Sequence, residues 1–124
     1  MANKYKNKKI VRNGETFDSL KEYRRYIELS LLEKAGTIQG LKRQVVYDLL
    51  PAQYEQVSMA DYIKSKGRKA RGKCLERAVK YVADFVYTEN GETVVEDTKG
   101  VRTKDYIIKR KMLLYFHGIK IREI

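Results

Sequence analysis

The chain has no tryptophan, one cysteine, one proline and one histidine in 124 residues. The lone Cys74 excludes an intramolecular disulfide and a cysteine zinc cluster, and fits a reducing cytoplasm. The scarcity of proline argues against a long disordered chain. No apolar run approaches the roughly 20 residues of a membrane-spanning helix. The leading MANKYKNKKI lacks the apolar segment of a secretory signal. Acidic residues are also few: 16 Asp and Glu stand against 27 Lys and Arg, a net charge of +11. Such an excess implies a polyanionic partner, nucleic acid first, with an acidic membrane surface as the alternative. What is present is 43% hydrophobic residues, enough at this length for one domain with a single modest core.

Hydrophobic periodicity predicts a small α/β protein. Residues 1–9 read as a basic mobile arm, and Asn13-Gly14 as the turn of a short leading hairpin. From Asp18 to Ala35 the spacing predicts a helix, with Ser19 as N-cap, Gly36 as stop, and Phe17, Leu20, Tyr23, Ile27 and Leu31 as its apolar stripe. KRQVVYDLL, residues 42–50, reads as a strand ended by Pro51. Residues 52–74 form a variable basic region with a short helix or excursion. Strands at about 76–88 and 92–99 follow, then a helix over 103–117 capped by Thr103 and stopped by Gly118, with Ile108, Met112 and Tyr115 facing inward. IKIREI is the closing strand. This order predicts a small mixed sheet flanked by helices.

The second hairpin carries the chemistry. Asn90-Gly91 is a strong signal for a two-residue type I′ turn. That register sets Asp84 opposite Asp97 and Val82 opposite Lys99, and strand alternation puts Glu96 on the reverse face, opposite Phe85. Like charges directly opposed in a sheet are destabilising. A divalent cation between the carboxylates, with Lys99 beside them, would account for the arrangement. Hard oxygen ligands suit Mg²⁺ or Mn²⁺ and not zinc. Glu22, in the first turn of the first long helix, is the candidate third acid.

The set Glu22, Asp84 and Asp97-Thr98-Lys99 resembles the PD-(D/E)xK nuclease superfamily. FDSLKEYRRYIELSLLEKAG, ERAVKYVADFVY and VVEDTKGVRTKDYIIKRKMLLY are similar to a small phage and prophage family of nuclease-like proteins, related to phage Holliday-junction resolvases and transposon endonuclease subunits. The resemblance implies a single restriction-endonuclease-like domain over 1–124 and a metal-dependent endonuclease acting on DNA, with a role in recombination or junction resolution. It implies Glu22, Asp84 and Asp97 as metal ligands and Lys99 as the catalytic lysine. Ala83 stands where the superfamily's name has proline. By analogy the protein acts in the cytoplasm of a phage host, on branched DNA, as a homodimer.

Simpler roles stand beside these. Ser19-x-x-Glu22 is also a capping box. Asp84 could pair with Lys80 or Lys99, and Asp97 with Lys99 as a solvent-facing strand pair. Lys66, Arg68, Lys69, Arg71 and Lys73 read as a phosphate-contacting loop or a solvated surface. Arg102, Thr103, Lys104, Lys109 and Lys111 begin and line the last helix, and join them as candidate DNA contacts. Gln44 is a possible accessory, and His117 a partner for helix-terminal carbonyls. The competing function is a nucleic-acid-binding module that retains the nuclease fold without catalysis.

Overall fold

A computed structural model describes residues 9–98 and 101–124. Lys99 and most of the basic arm lie outside the described residues. The leading hairpin forms as expected, β1 (Ile10–Arg12) against β2 (Glu15–Phe17). Helix α1 (Leu20–Lys34) starts on Ser19, whose hydroxyl accepts from Glu22 N at 3.1 Å. It ends in a Schellman arrangement, with Thr37 N bonded to Leu32 O, Gly36 N to Glu33 O, and Gly36 at φ +81°.

Strand β3 (Ile38–Leu50) is longer than its sequence signal, beginning just after that turn. β4 (Gln53–Tyr54) and β5 (Cys74–Glu76) form a separate two-stranded ribbon that carries the short helix α2 (Met59–Lys64). β6 (Val79–Glu89) and β7 (Glu92–Asp97) make the second hairpin, followed by α3 (Lys104–His117) and β8 (Arg122–Glu123). The main sheet has the order β3-β6-β7-β8, antiparallel except for the β7–β8 pair. It is therefore a small mixed sheet, as the sequence predicts.

Consecutive residues of a strand point to opposite faces. Val94 packs with Leu29 of α1, whereas Val95 packs with Tyr106 and Leu113 of α3. The helices thus cover opposite faces, giving three layers. Leu29 and Leu113 are fully buried, and each contributes about 1.5–3 kcal/mol by leaving water.

The helices turn differently from their apolar stripes. On α1 the inward residues are Glu22, Tyr26, Leu29 and Leu32, while Leu20, Ile27 and Leu31 are exposed. On α3 they are Tyr106, Ile107, Met112 and Leu113, with Ile108 and Tyr115 exposed. Both helices carry apolar residues on more than one face, so spacing alone allows two orientations. Anchors such as Arg25 to Glu96 on the sheet decide between them. His117 likewise does not cap its own helix: its Nε2 reaches Asp48 O of β3 at 2.6 Å. Among the described residues, no helix is long and apolar enough to cross a membrane.

Candidate functional site

Asn90 and Gly91 have φ of +52° and +79°, the positive pair a type I′ turn requires. The expected register follows, from Glu89 opposite Glu92 to Phe85 opposite Glu96. There the regular ladder stops, one step before Asp84 and Asp97.

At that step β6 breaks its alternation. Ala83 and Val86 belong to the α3-side cluster, while Phe85 and Tyr87 belong to the α1-side cluster. A step of three residues between Ala83 and Val86 on one face means that the strand twists out of its alternation at Asp84, while its register with β3 is unchanged on either side. The partner strand is irregular at the same level. Arg43 pairs with Phe85 and Val45 with Ala83, so Gln44 lies opposite Asp84, and Gln44 has φ +52°.

Asp84 is bonded across the hairpin to Thr98, its Oδ2 accepting from Thr98 N at 2.9 Å and Thr98 Oγ1 at 2.8 Å. Thr98 shares a strand face with Glu96, whose carboxylate faces α1. Asp97 instead accepts from the Tyr81 hydroxyl, on the α3 side. The expected pairing of the two aspartates is not reached, and their carboxylates are held by different partners. Lys80, one of the alternatives for Asp84, pairs with Asp48 at 3.8 Å.

Glu22 joins Asp84. Its Oε2 accepts from Asp18 N at 3.1 Å, a capping contact one residue displaced from the expected box. Its Oε1 accepts from Gln44 Nε2 at 3.1 Å and from Arg43 Nη2 at 3.4 Å. Burial pushes the Glu22 carboxyl above the usual carboxylate range, and the nearby negative charge of Asp84 pushes it further. Glu22 is 2% exposed, Asp84 9%, and Glu96 and Asp97 0%. A solvent-facing Asp97 is therefore ruled out.

Gln44 bonds Glu22 and lies opposite Asp84, so both acids stand at Gln44, and Asp97 sits beside Tyr81. Burial and the Asp97 carboxylate raise the Tyr81 hydroxyl well above its ordinary range, so it remains a proton donor to that acid. Among the described residues, no three His, Cys, Asp or Glu side chains stand as a metal-holding group.

Glu96 does different work. Arg25 grips it bidentately, Nε to Oε2 at 2.7 Å and Nη2 to Oε1 at 2.8 Å, and the Tyr87 hydroxyl adds a bond of 2.6 Å. Sequence reasoning placed Glu96 on the reverse face but missed this role. An acid opposite Phe85 in an apolar strand needs a buried partner, which was the available signal. The bond of Thr98 to Asp84 carried no sequence signal, because it depends on the break in alternation between Ala83 and Phe85.

The candidate DNA contacts fall into two groups. Lys66, Arg68, Lys69, Arg71 and Lys73 are exposed on the excursion between β4 and β5. At the start of α3, Thr103 is spent as the N-cap, accepting from Tyr106 N at 3.1 Å. Arg102 bonds Glu123 at 2.7 Å and Lys109 pairs with Asp105 at 3.4 Å. Lys104 and Lys111 are exposed.

Over residues 2–123 the sequence matches a family described as "Protein of unknown function (DUF1064)". The chain belongs to DUF1064. No curated protein and no solved structure matches it. The DUF1064 match takes in the acidic pair, the hairpin and the basic excursion alike.

Proposed function

We propose that this DUF1064 chain is a metal-dependent endonuclease that hydrolyses DNA phosphodiester bonds, with Glu22 and Asp84 at the centre of its site. The observation that carries the reading is the buried pair itself. Both carboxylates are buried at Gln44, which bonds Glu22 and lies opposite Asp84, and the charge of Asp84 disfavours ionisation of Glu22. A hard divalent cation fits that donor set, since Mg²⁺ is commonly held by one or two carboxylates together with substrate phosphates and water. Glu22 and Asp84 would hold it; Asp97, the third acid of the resemblance, would have to leave Tyr81 to join them. When bound it supplies polarisation of the scissile phosphate and acidification of a water.

The chain's own groups do the rest. The α1 cap and Gln44 orient Glu22, and Thr98 fixes one oxygen of Asp84. Lys99, by the resemblance to PD-(D/E)xK nucleases, stabilises the charge that develops on phosphate. The basic excursion and the exposed Lys104 and Lys111 bind the DNA backbone, and junction resolution within phage recombination is the finer reading.

The second reading, a binding module without catalysis, is favoured by one observation. Asp97 is engaged with Tyr81, and no three-acid group stands ready among the described residues.

A cleavage panel of single-stranded, duplex, flap and four-way DNA with Mg²⁺ or Mn²⁺, run beside Asp84→Ala, separates the two. The nuclease reading expects cutting by the wild type, abolished by chelation and by the substitution. Binding without cutting of any DNA form establishes the module, and cutting that persists in Asp84→Ala removes the site assignment.

A further inference from the structure

The excursion between β4 and β5 is a built lobe. Glu55 N bonds Lys73 O at 2.8 Å and Gly72 N bonds Glu55 O at 3.0 Å, closing its base. A Cβ at Gly72 would sit 2.4 Å from Glu55 O, so only glycine allows that approach. Helix α2 is capped by Ser58, which accepts from Asp61 N at 3.1 Å. It ends in a Schellman pair, Gly67 N to Tyr62 O and Lys66 N to Ile63 O, both 2.9 Å. The following turn is held by Ser65, whose hydroxyl accepts from Lys69 N at 2.9 Å and whose carbonyl accepts from Arg68 Nε at 3.1 Å.

This scaffold displays two surfaces side by side. One is cationic: residues 55–73 hold six Lys and Arg against two acids, and Ser65, Arg68, Lys69, Ala70 and Arg71 line an open hollow of about 530 Å³. The other is apolar. Met59, Tyr62 and Ile63, at positions i, i+3 and i+4 of α2, are 71%, 45% and 66% exposed. At the lobe's base the Arg71 guanidinium lies over the ring of Tyr54, 4.8 Å from its centroid.

We infer that the lobe is a wedge for branched or unpaired DNA. Its cations take the phosphate backbone, and the α2 stripe inserts against bases that a branch leaves unstacked. Cations alone would serve any duplex, because phosphate contacts are blind to sequence and pairing. Exposed apolar side chains beside them need a partner with both anionic and apolar parts, and unstacked bases next to their own phosphates meet that need. An anionic membrane is the other such partner. The stripe is three residues on a six-residue helix, far short of the long amphipathic face that membrane binding uses. The inference rests on the nucleic-acid half of the reading above, not on cleavage.

The test uses the full chain in chelator, which stops metal-dependent cutting. It is titrated onto a fork with 2-aminopurine at the branch and onto the matched duplex. The wild type is expected to prefer the fork about tenfold, the order of one stacked base, and to raise the fluorescence. Met59→Ser/Ile63→Ser, substitutions at exposed positions whose folding circular dichroism checks, should lose both effects and keep duplex binding. Arg68→Glu/Lys69→Glu should weaken both DNAs alike. Equal affinity for fork and duplex, or a Ser variant indistinguishable from wild type, overturns the wedge. Binding to phosphatidylserine vesicles that the Ser variant loses, with DNA binding unchanged, overturns it in favour of a membrane. Absence of cleavage in Mg²⁺ would remove the nuclease reading and leave this result standing.

Discussion

Replacing Arg25 with alanine should be among the most damaging single changes in the protein. The Glu96 carboxylate is fully buried, and Arg25 supplies two charge-assisted bonds of 2.7 and 2.8 Å from a guanidinium whose side chain is 19% exposed. Truncation leaves a buried anion with the Tyr87 hydroxyl as its remaining partner at 2.6 Å. Removing one member of a buried pair typically costs about 3–5 kcal/mol, a large part of the 5–15 kcal/mol that holds a domain of this size. At this length the melting temperature should fall by about 10–20 °C. Arg25→Met with Glu96→Leu removes both charges and should recover most of the loss. Calorimetry of wild type, single and double variants measures all of it. A loss under about 1 kcal/mol for Arg25→Ala would make the pair equivalent to a surface salt bridge and refute the assignment of Glu96 as the anchor of α1 on the sheet.

Three further outcomes are expected. Burial first, and Asp84 second, raise the Glu22 carboxyl, so the folded state binds its proton more tightly than the unfolded chain does. The cost of ionising Glu22 is absent below the unfolded carboxylate range and grows as pH rises through the folded value, so Glu22→Gln should gain stability relative to wild type between pH 4 and 8 in urea titrations. Gly72→Ala forces a Cβ against Glu55 O; protease should then cut within residues 55–73 and DNA affinity should fall, while the core melts as before. Gly91→Val places a β-branched residue at φ +79° and should cost about 1–2 kcal/mol, read from the shift of the urea midpoint.

Much of the fold was legible because its punctuation is local. Ser19, Thr103, Gly36, Gly118 and Asn90-Gly91 act within a few residues, and each stands where its chemistry predicts. The hairpin register followed from the turn. What local reasoning lacked was the orientation of each helix, since Leu20, Ile27 and Leu31 satisfy helical spacing as well as Tyr26, Leu29 and Leu32. The break in alternation at Asp84 was also hidden, being a property of two strands at once, with Gln44 left-handed across from it. It changes the site: opposition of Asp84 and Asp97 gave way to a Glu22–Asp84 pair on one side and an Asp97–Tyr81 bond on the other. Repulsion that a regular ladder would set between the two aspartates is shifted to Asp84 and a glutamate from α1.

The nuclease site requires that Glu22 and Asp84 hold a hard cation. Isothermal titration of Mn²⁺ into wild type, Asp84→Asn and Glu22→Gln at neutral pH asks this without reference to any substrate. Saturable binding by the wild type, lost or strongly weakened in both variants while their folds persist, is the predicted result. Absence of saturable binding, or binding that both variants retain unchanged, contradicts it.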